Sequence, residues 1–315
     1  MRKFLQRLFV SAVVLIFMTG LMDYVICRGL LNMEDYRFQD YAAMLRGGMD
    51  RDLLIMGNSR GKAHYDPHVL DSLLHTDSFC IGVGGYPFNI QLLKYGLYRE
   101  HNRKPKVIIQ DVDMQAFETL TDIRHHHQSE QFFPLVYDRG VRKELKKVGY
   151  GIPELFLPMY RFFGYQQAIK NGLLEALHLK HYVSFPAYKG HRPENGPWNG
   201  TVLREMDTVD VVVSDDRKVL FESFLARCQQ DSVLVVMVYS PMYVGAREKL
   251  QGLEDVRTYF SKTAKHFGFV YLDYLDDPIC QDSTNFCVSV HMNPTATKEF
   301  TRMLCRDLDS LSTMN

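Results

Sequence analysis

Met56-Gly-Asn-Ser-Arg60 sets a serine where an apolar run, Asp52-Leu-Leu-Ile-Met-Gly57, gives way to a helical pattern. A side chain in such a strand-to-helix turn projects from the sheet, and the backbone N–H groups that follow it point toward the same spot. A hydroxyl there can act as a nucleophile if a base takes its proton. His291, in Val290-His-Met-Asn-Pro294 just ahead of the last helix, is the best-placed base. The two are 232 residues apart in sequence, yet both map to loops at the carboxyl ends of strands in one sheet. Ser59 alone reads equally well as a helix N-cap. Arg60 suits an anionic group of a substrate or an acid on a neighbouring loop.

These residues need a scaffold, and the chain alternates apolar runs with helical patterns to provide one. Five runs read as strands: 52–57, 78–83, 106–112, 232–239 and 269–273. Helical spacing follows at 67–75 and 87–99, returns at 216–229 and 247–266, and closes the chain from about Pro294. Strands buried on both faces and alternating with helices predict an α/β fold, a five-stranded, mostly parallel, doubly wound sheet. Residues 114–206 break the rhythm with a helical and irregular insertion after the third strand. It includes a Gly/Pro-rich stretch from Lys189 to Gly200. Leaving the carboxyl end of the third strand, it is expected to overhang the face where open α/β sheets bind ligands.

In motif order over roughly 50–310, the chain resembles the SGNH (GDSL-like) hydrolase and acyltransferase superfamily. Gly57-Asn-Ser-Arg60 is similar to the first block, with Ser59 at the nucleophile position. Cys80-Ile-Gly-Val-Gly-Gly85 is similar to the second, Gln110-Asp-Val-Asp113 stands where the third falls, and His291-Met-Asn-Pro294 resembles the last. The resemblance implies a flavodoxin-like strand order, Ser59 attacking an acyl carbonyl, His291 as base, and an oxyanion held by the N–H groups of Ser59 and Gly85. Two positions depart from the pattern. Val288 stands where an aspartate usually orients the histidine; Asp282, Asp273 or Asp276 are replacement candidates, Asp282 foremost, or the pair works as a dyad. Asp113 stands where an asparagine usually donates to the oxyanion, and an ionised carboxylate would repel it. Anchored members of the superfamily, the DltD-like and alginate-acetylation proteins, work on acylated envelope polymers.

An anchor is also expected here. Arg2, Lys3 and Arg7 precede fifteen uncharged, mostly apolar residues, Leu8–Met22. Residues 1–30 read as an uncleaved signal-anchor, with a cleaved signal peptide as the rival, and residues 31–315 as the α/β domain. Positive charge ahead of the segment puts that domain outside the cytoplasm, on the periplasmic side of the inner membrane. Over the whole chain 37 basic residues balance 37 acidic ones, which argues against a nucleic-acid partner. No cysteine spacing suits zinc, and no cofactor or metal is expected. Cys280 and Cys287 form either a small disulfide ring or two free thiols. His125-His-His127 reads as an ordinary run, since adjacent side chains diverge, and Lys189-Gly-His-Arg192 with Trp198 as a loop or a sugar contact. The expected function is therefore a membrane-anchored serine esterase or O-acyltransferase acting on an acyl group, such as acetyl, of an envelope glycan. The alternative is a catalytically weakened module that binds glycan or a membrane O-acyltransferase.

Overall fold

The apolar runs become strands because each offers side chains that both faces of a sheet can bury. The computed structural model describes residues 1–184, 188–211 and 215–312. Its central sheet contains β1 (Leu53–Met56), β2 (Ser78–Cys80), β3 (Val107–Asp111), β4 (Leu234–Tyr239) and β5 (Val270–Asp273). Every neighbouring pair is parallel and the order is β2-β1-β3-β4-β5. Leu54, Ile55, Ile108, Ile109, Val235 and Val238 are wholly buried. Around the sheet come α1 (Ser59–Ala63), α2 (Pro67–Leu74), α3 (Phe88–His101), α4 (Asp215–Gln230), α5 (Leu253–Phe267) and α6 (Pro294–Ser312). A short antiparallel hairpin, β6 (Phe286–Val288) with β7 (His291–Met292), immediately precedes α6.

Two expected elements are shorter in the structure. The second strand ends at Cys80, beyond which the chain stays beside β1 only through Ile81 N–H to Ile55 O and Val83 N–H to Gly57 O. The helix expected from residue 247 starts at Leu253, because Gly252 takes a left-handed φ of +77° and resets the backbone.

The chain divides into two compact units. One comprises residues 47–120 and 187–315 and carries the sheet; the other comprises 1–46 and 121–186. The stretch 114–206 is thus shared, with 121–186 grouped with the amino terminus.

The second of these units is built around the helix Arg2–Asn32, which is long and apolar enough to cross a membrane; a signal sequence meets the same criteria. Its two parts differ. Phe4, Leu8, Val14 and Phe17 are exposed, whereas Asp23, Ile26, Cys27, Gly29 and Leu30 are buried. The buried part crosses the helix Gln166–Ala176 at Gly29 and Gly172. A Cβ on Gly29 would stand 1.8 Å from the Gly172 carbonyl oxygen, so backbones meet there with no room for a side chain. Asp23 accepts hydrogen bonds from Tyr137 Oη (2.6 Å) and Met159 N (2.7 Å) and pairs with Arg161. A buried carboxylate this well partnered does not suffer the cost of an isolated charge.

Candidate active site

The turn after β1 is fixed by close packing. Gly57 adopts a φ of +148°, and a Cβ there would stand 2.8 Å from Asp111 Cβ and 2.9 Å from Gly61 Cα. Only glycine fits both the angle and the space. Asn58, rather than Ser59, is the N-cap of α1: its Oδ1 accepts from Arg60 N at 3.0 Å. That leaves Ser59 as the first helical residue, with its side chain half-buried rather than tied to the backbone.

Its partner is His291. Nε2 of His291 lies 2.8 Å from Ser59 Oγ, so the sheet brings the two sequence-predicted residues within direct hydrogen-bond reach. Both sit beyond the carboxyl ends of the strands, next to the point where the order reverses between β1 and β3. The glycine loop after β2 passes the same place. A Cβ on Gly84 would lie 3.8 Å from Ser59 Cβ, and Gly85, at φ +75°, is the third residue of a turn closed by Tyr86 N–H to Val83 O.

His291 is held by its hairpin. Met292 N donates to Nε2 of buried His64 at 3.2 Å, so the proton of His64 is on Nδ1, which donates to Ser240 Oγ at 2.9 Å. Burial keeps His64 neutral, its pKa well below the ordinary histidine value. Ser240 in turn bonds Asp111, which also accepts from Tyr65 Oη at 2.6 Å and from Arg60 at 3.3 Å. Asn293 caps α6, accepting from Thr295 N and Ala296 N.

Several expected roles need correction. Arg60 does not reach toward a substrate. It is buried, its guanidinium bonded to Asp111 and Val112 O and stacked 4.9 Å over the Tyr239 ring. Asp282 does not orient His291; it is exposed and caps the next turn by accepting from Thr284 N. Asp273 and Asp276 are engaged by Arg257, and Asp276 also by Arg247. Val288, at the position where an acid was expected, stands directly across the hairpin from His291. Asp113 Oδ2 accepts from Asn58 Nδ2 at 2.5 Å, with Arg60 Nε 3.9 Å away, so this side chain supplies an acceptor where a donor was wanted. Cys280 and Cys287 are free, each thiol donating to a carbonyl: Cys280 to Tyr274 O, Cys287 to Glu194 O and Gly196 O.

The segment from Lys189 to Arg192 is structural. Lys189 pairs with Asp71 and Asp77, its carbonyl accepts from Cys80 N, and Gly190 packs on the Cys80 carbonyl at the edge of β2. Burial depresses His191 to about 4.

Sequence reasoning missed Glu194. Burial lowers the pKa of His291, Arg60 and Arg192 act in the same sense, and Glu194 is the carboxylate whose charge opposes them. Among the described residues no carboxylate is hydrogen-bonded to His291. Glu194 also lines a groove of about 730 Å³ with Asn195, Trp198, Asn199, Arg204 and Val288. No local pattern marks it, because its influence depends on a loop folding back against β6, where Asn199 N donates to Cys287 O at 2.7 Å.

No family model matches the sequence, and a search of curated proteins finds no match. Among solved structures, one titled a "putative acylhydrolase" from Bacteroides fragilis covers 88% of this chain and 97% of its own, at 9% identity and a TM-score of 0.35. A likeness that low carries no argument about this chain.

Proposed function

We propose that the chain is a membrane-anchored serine esterase or O-acyltransferase of the SGNH type, working outside the cytoplasm on an acyl group of a cell-envelope glycan. The observation that carries this is the 2.8 Å approach of His291 Nε2 to Ser59 Oγ at the carboxyl-end mouth of a parallel sheet. Burial keeps the imidazole neutral near pH 7, so its Nε2 lone pair is available to the Ser59 hydroxyl. As Oγ bonds to the acyl carbon, its proton passes to Nε2 and the carbonyl electrons move to oxygen, which the N–H groups of Ser59 and Gly85 receive. His291 then returns the proton to the departing alkoxide. The acyl group leaves Ser59 on water in hydrolysis, or on a sugar hydroxyl in transfer. The Glu194 carboxylate steadies the imidazolium through space. The groove holding Trp198, Asn195 and Asn199 offers one aromatic face and two side-chain amides, a lining suited to a sugar.

Anchoring rather than cleavage is supported by the burial of Asp23, Ile26 and Leu30 within their unit, which loss of the amino terminus would strip of its core. The basic residues ahead of the apolar stretch support the extracytoplasmic side.

A second reading, a weakened module that binds glycan or a membrane O-acyltransferase, is favoured by one observation: Asp113, at the motif position where the resemblance implies an oxyanion donor, accepts from Asn58 Nδ2. Labelling of the purified full chain by a serine-directed fluorophosphonate separates the two. Labelling that disappears in Ser59→Ala supports the enzyme; a folded wild type that does not label supports the module.

A further inference from the structure

The unit built on the Arg2–Asn32 helix carries an exposed apolar cluster beside the place where that helix becomes buried. The loop Pro158–Arg161 grips the helix between Gly20 and Asp23: Pro158 Cγ is 3.8 Å from a Cβ built on Gly20, Met159 N donates to Asp23, and Arg161 pairs with it. Tyr137 closes the other side, its ring edge-on to Tyr24 at 5.5 Å. Flanking this collar, Ile152 (73% exposed), Phe156, Leu157, Tyr160 and Phe163 (91% exposed) present apolar or aromatic side chains outward. Next to them, the helix Arg139–Lys147 buries Val141 and Leu145 and carries five cations, with Glu144 its one acid; the Arg142 guanidinium lies 5.7 Å over the Phe156 ring.

Residues 8–22, the uncharged stretch of the amino-terminal helix, extend about 22 Å, and the long side chains of Arg7 and Lys3 ahead of them reach toward head groups across the rest of a hydrocarbon core about 30 Å thick. If they span it, the Gly20–Asp23 collar comes at the lipid surface, and the cluster with it. We infer that this unit docks on the bilayer as well as being tethered to it: Phe163, Tyr160, Phe156 and Ile152 enter the interfacial layer, and the helix Arg139–Lys147 meets anionic head groups. The inference rests on the reading of the amino-terminal helix as a retained anchor. The collar supplies the continuity between anchor and patch, and the excess of cations beside the apolar residues matches an anionic lipid surface, a pairing that characterises interfacial segments. Tyr160 follows the same logic, an apolar ring with a polar hydroxyl at a membrane boundary.

The test uses the full chain reconstituted in vesicles of phosphatidylcholine and phosphatidylglycerol. Phe163→Cys is labelled with an environment-sensitive fluorophore; the six native cysteines are buried and do not compete. Leu179→Cys is the control, an equally apolar, 69% exposed position of the same unit near Tyr182, whose carbonyl accepts from Glu34 N beyond the far end of the helix. Lipids quenching at head-group depth should quench the label at 163 several-fold more than that at 179. Equal quenching at the two positions, or none at 163, overturns the docking and leaves a simple tether or a protein partner. Lys143→Glu with Lys146→Glu should reduce quenching at 163 in the anionic vesicles and leave it unchanged in pure phosphatidylcholine; no reduction overturns the head-group contact. A wild-type chain that fails to float with vesicles overturns the anchor itself, a result distinct from a floating chain with an unquenched label.

Discussion

The two sides of the candidate site are constructed differently. On one side, the turn bearing Ser59 is set by hard contacts: Gly57 has no space for a Cβ, Gly61 would place one 2.9 Å from Met56 O, and Asn58 caps the helix. On the other, the hairpin bearing His291 buries Phe286 and Met292 in the core and is tied to its neighbours by hydrogen bonds, from Met292 N to His64, from Asn199 N to Cys287 O and from Tyr243 N to Ser289 O. Tight steric contacts fix the hydroxyl, whereas the imidazole sits on a hairpin whose core residues are joined by polar groups spread over 60–65, 190–200 and 240–243. The Ser59 side should therefore respond to volume, and the His291 side to charge and protonation.

The comparison breaks at once if Ser59 is only a structural residue. Ser59→Ala removes one half-buried hydroxyl that makes no cap, so its unfolding free energy should stay within about 0.5 kcal/mol of wild type. Hydrolysis of an activated acyl ester should fall by about 10⁶-fold, the scale seen when a serine nucleophile is removed. A loss of stability matching the loss of turnover in chemical denaturation would show that the hydroxyl holds the fold instead.

Gly57→Ala tests the steric side. The added methyl meets Asp111 Cβ at 2.8 Å in a backbone conformation unsuited to an L residue, which together should cost roughly 3 kcal/mol. Denaturant midpoints of the full chain in detergent measure it. A cost below about 0.5 kcal/mol would mean that the turn relaxes easily and that packing does not set the serine.

Acid tests the polar side. His64 and His191 are buried and held below the ordinary histidine range, so the unfolded chain binds protons that the folded chain refuses. Stability from these groups is complete above about pH 6.5 and declines as pH falls below it; for His191 the decline continues to about 4 and amounts to roughly 3 kcal/mol. His191→Asn should flatten the slope of unfolding free energy against pH between those limits. An unchanged slope would show that other groups dominate the acid response.

How much of this the sequence revealed follows the same division. Ser59 was legible because a strand, a Gly-x-Ser turn and a helix occur within a dozen residues, and local rules cover that range. His291 was legible from Asn293-Pro294, a helix-start signal that marks a loop at the sheet's carboxyl end. The burial of Arg60 was not, because its partners Asp111, Val112 and Tyr239 lie on β3, just beyond β3 and on β4, 51 to 179 residues away. Nor was the free state of Cys280 and Cys287, whose thiols are taken by carbonyls that only the folded loop supplies. The grouping of the amino-terminal helix with 121–186 was equally invisible: Asp23 directly follows the apolar stretch Leu8–Met22, and its partners Arg161 and Tyr137 lie more than a hundred positions on.

Glu194 gives the subtlest test, since it acts on His291 without a hydrogen bond. Its carboxylate raises the imidazole's pKa against the effects of burial and of Arg60 and Arg192. Glu194→Gln removes that charge, so the imidazole becomes still harder to protonate. Two consequences follow with definite signs. The acidic limb of kcat/KM, which reports the base in the free enzyme, should move to lower pH. At neutral pH the maximal rate should fall by about 10-fold or less, since a through-space stabilisation of the imidazolium at a partly wet site is worth about 1 kcal/mol. Loss of glycan contact alone would raise KM and leave the limb where it was, so the pH profile separates a carboxylate that tunes the base from one that merely lines the groove.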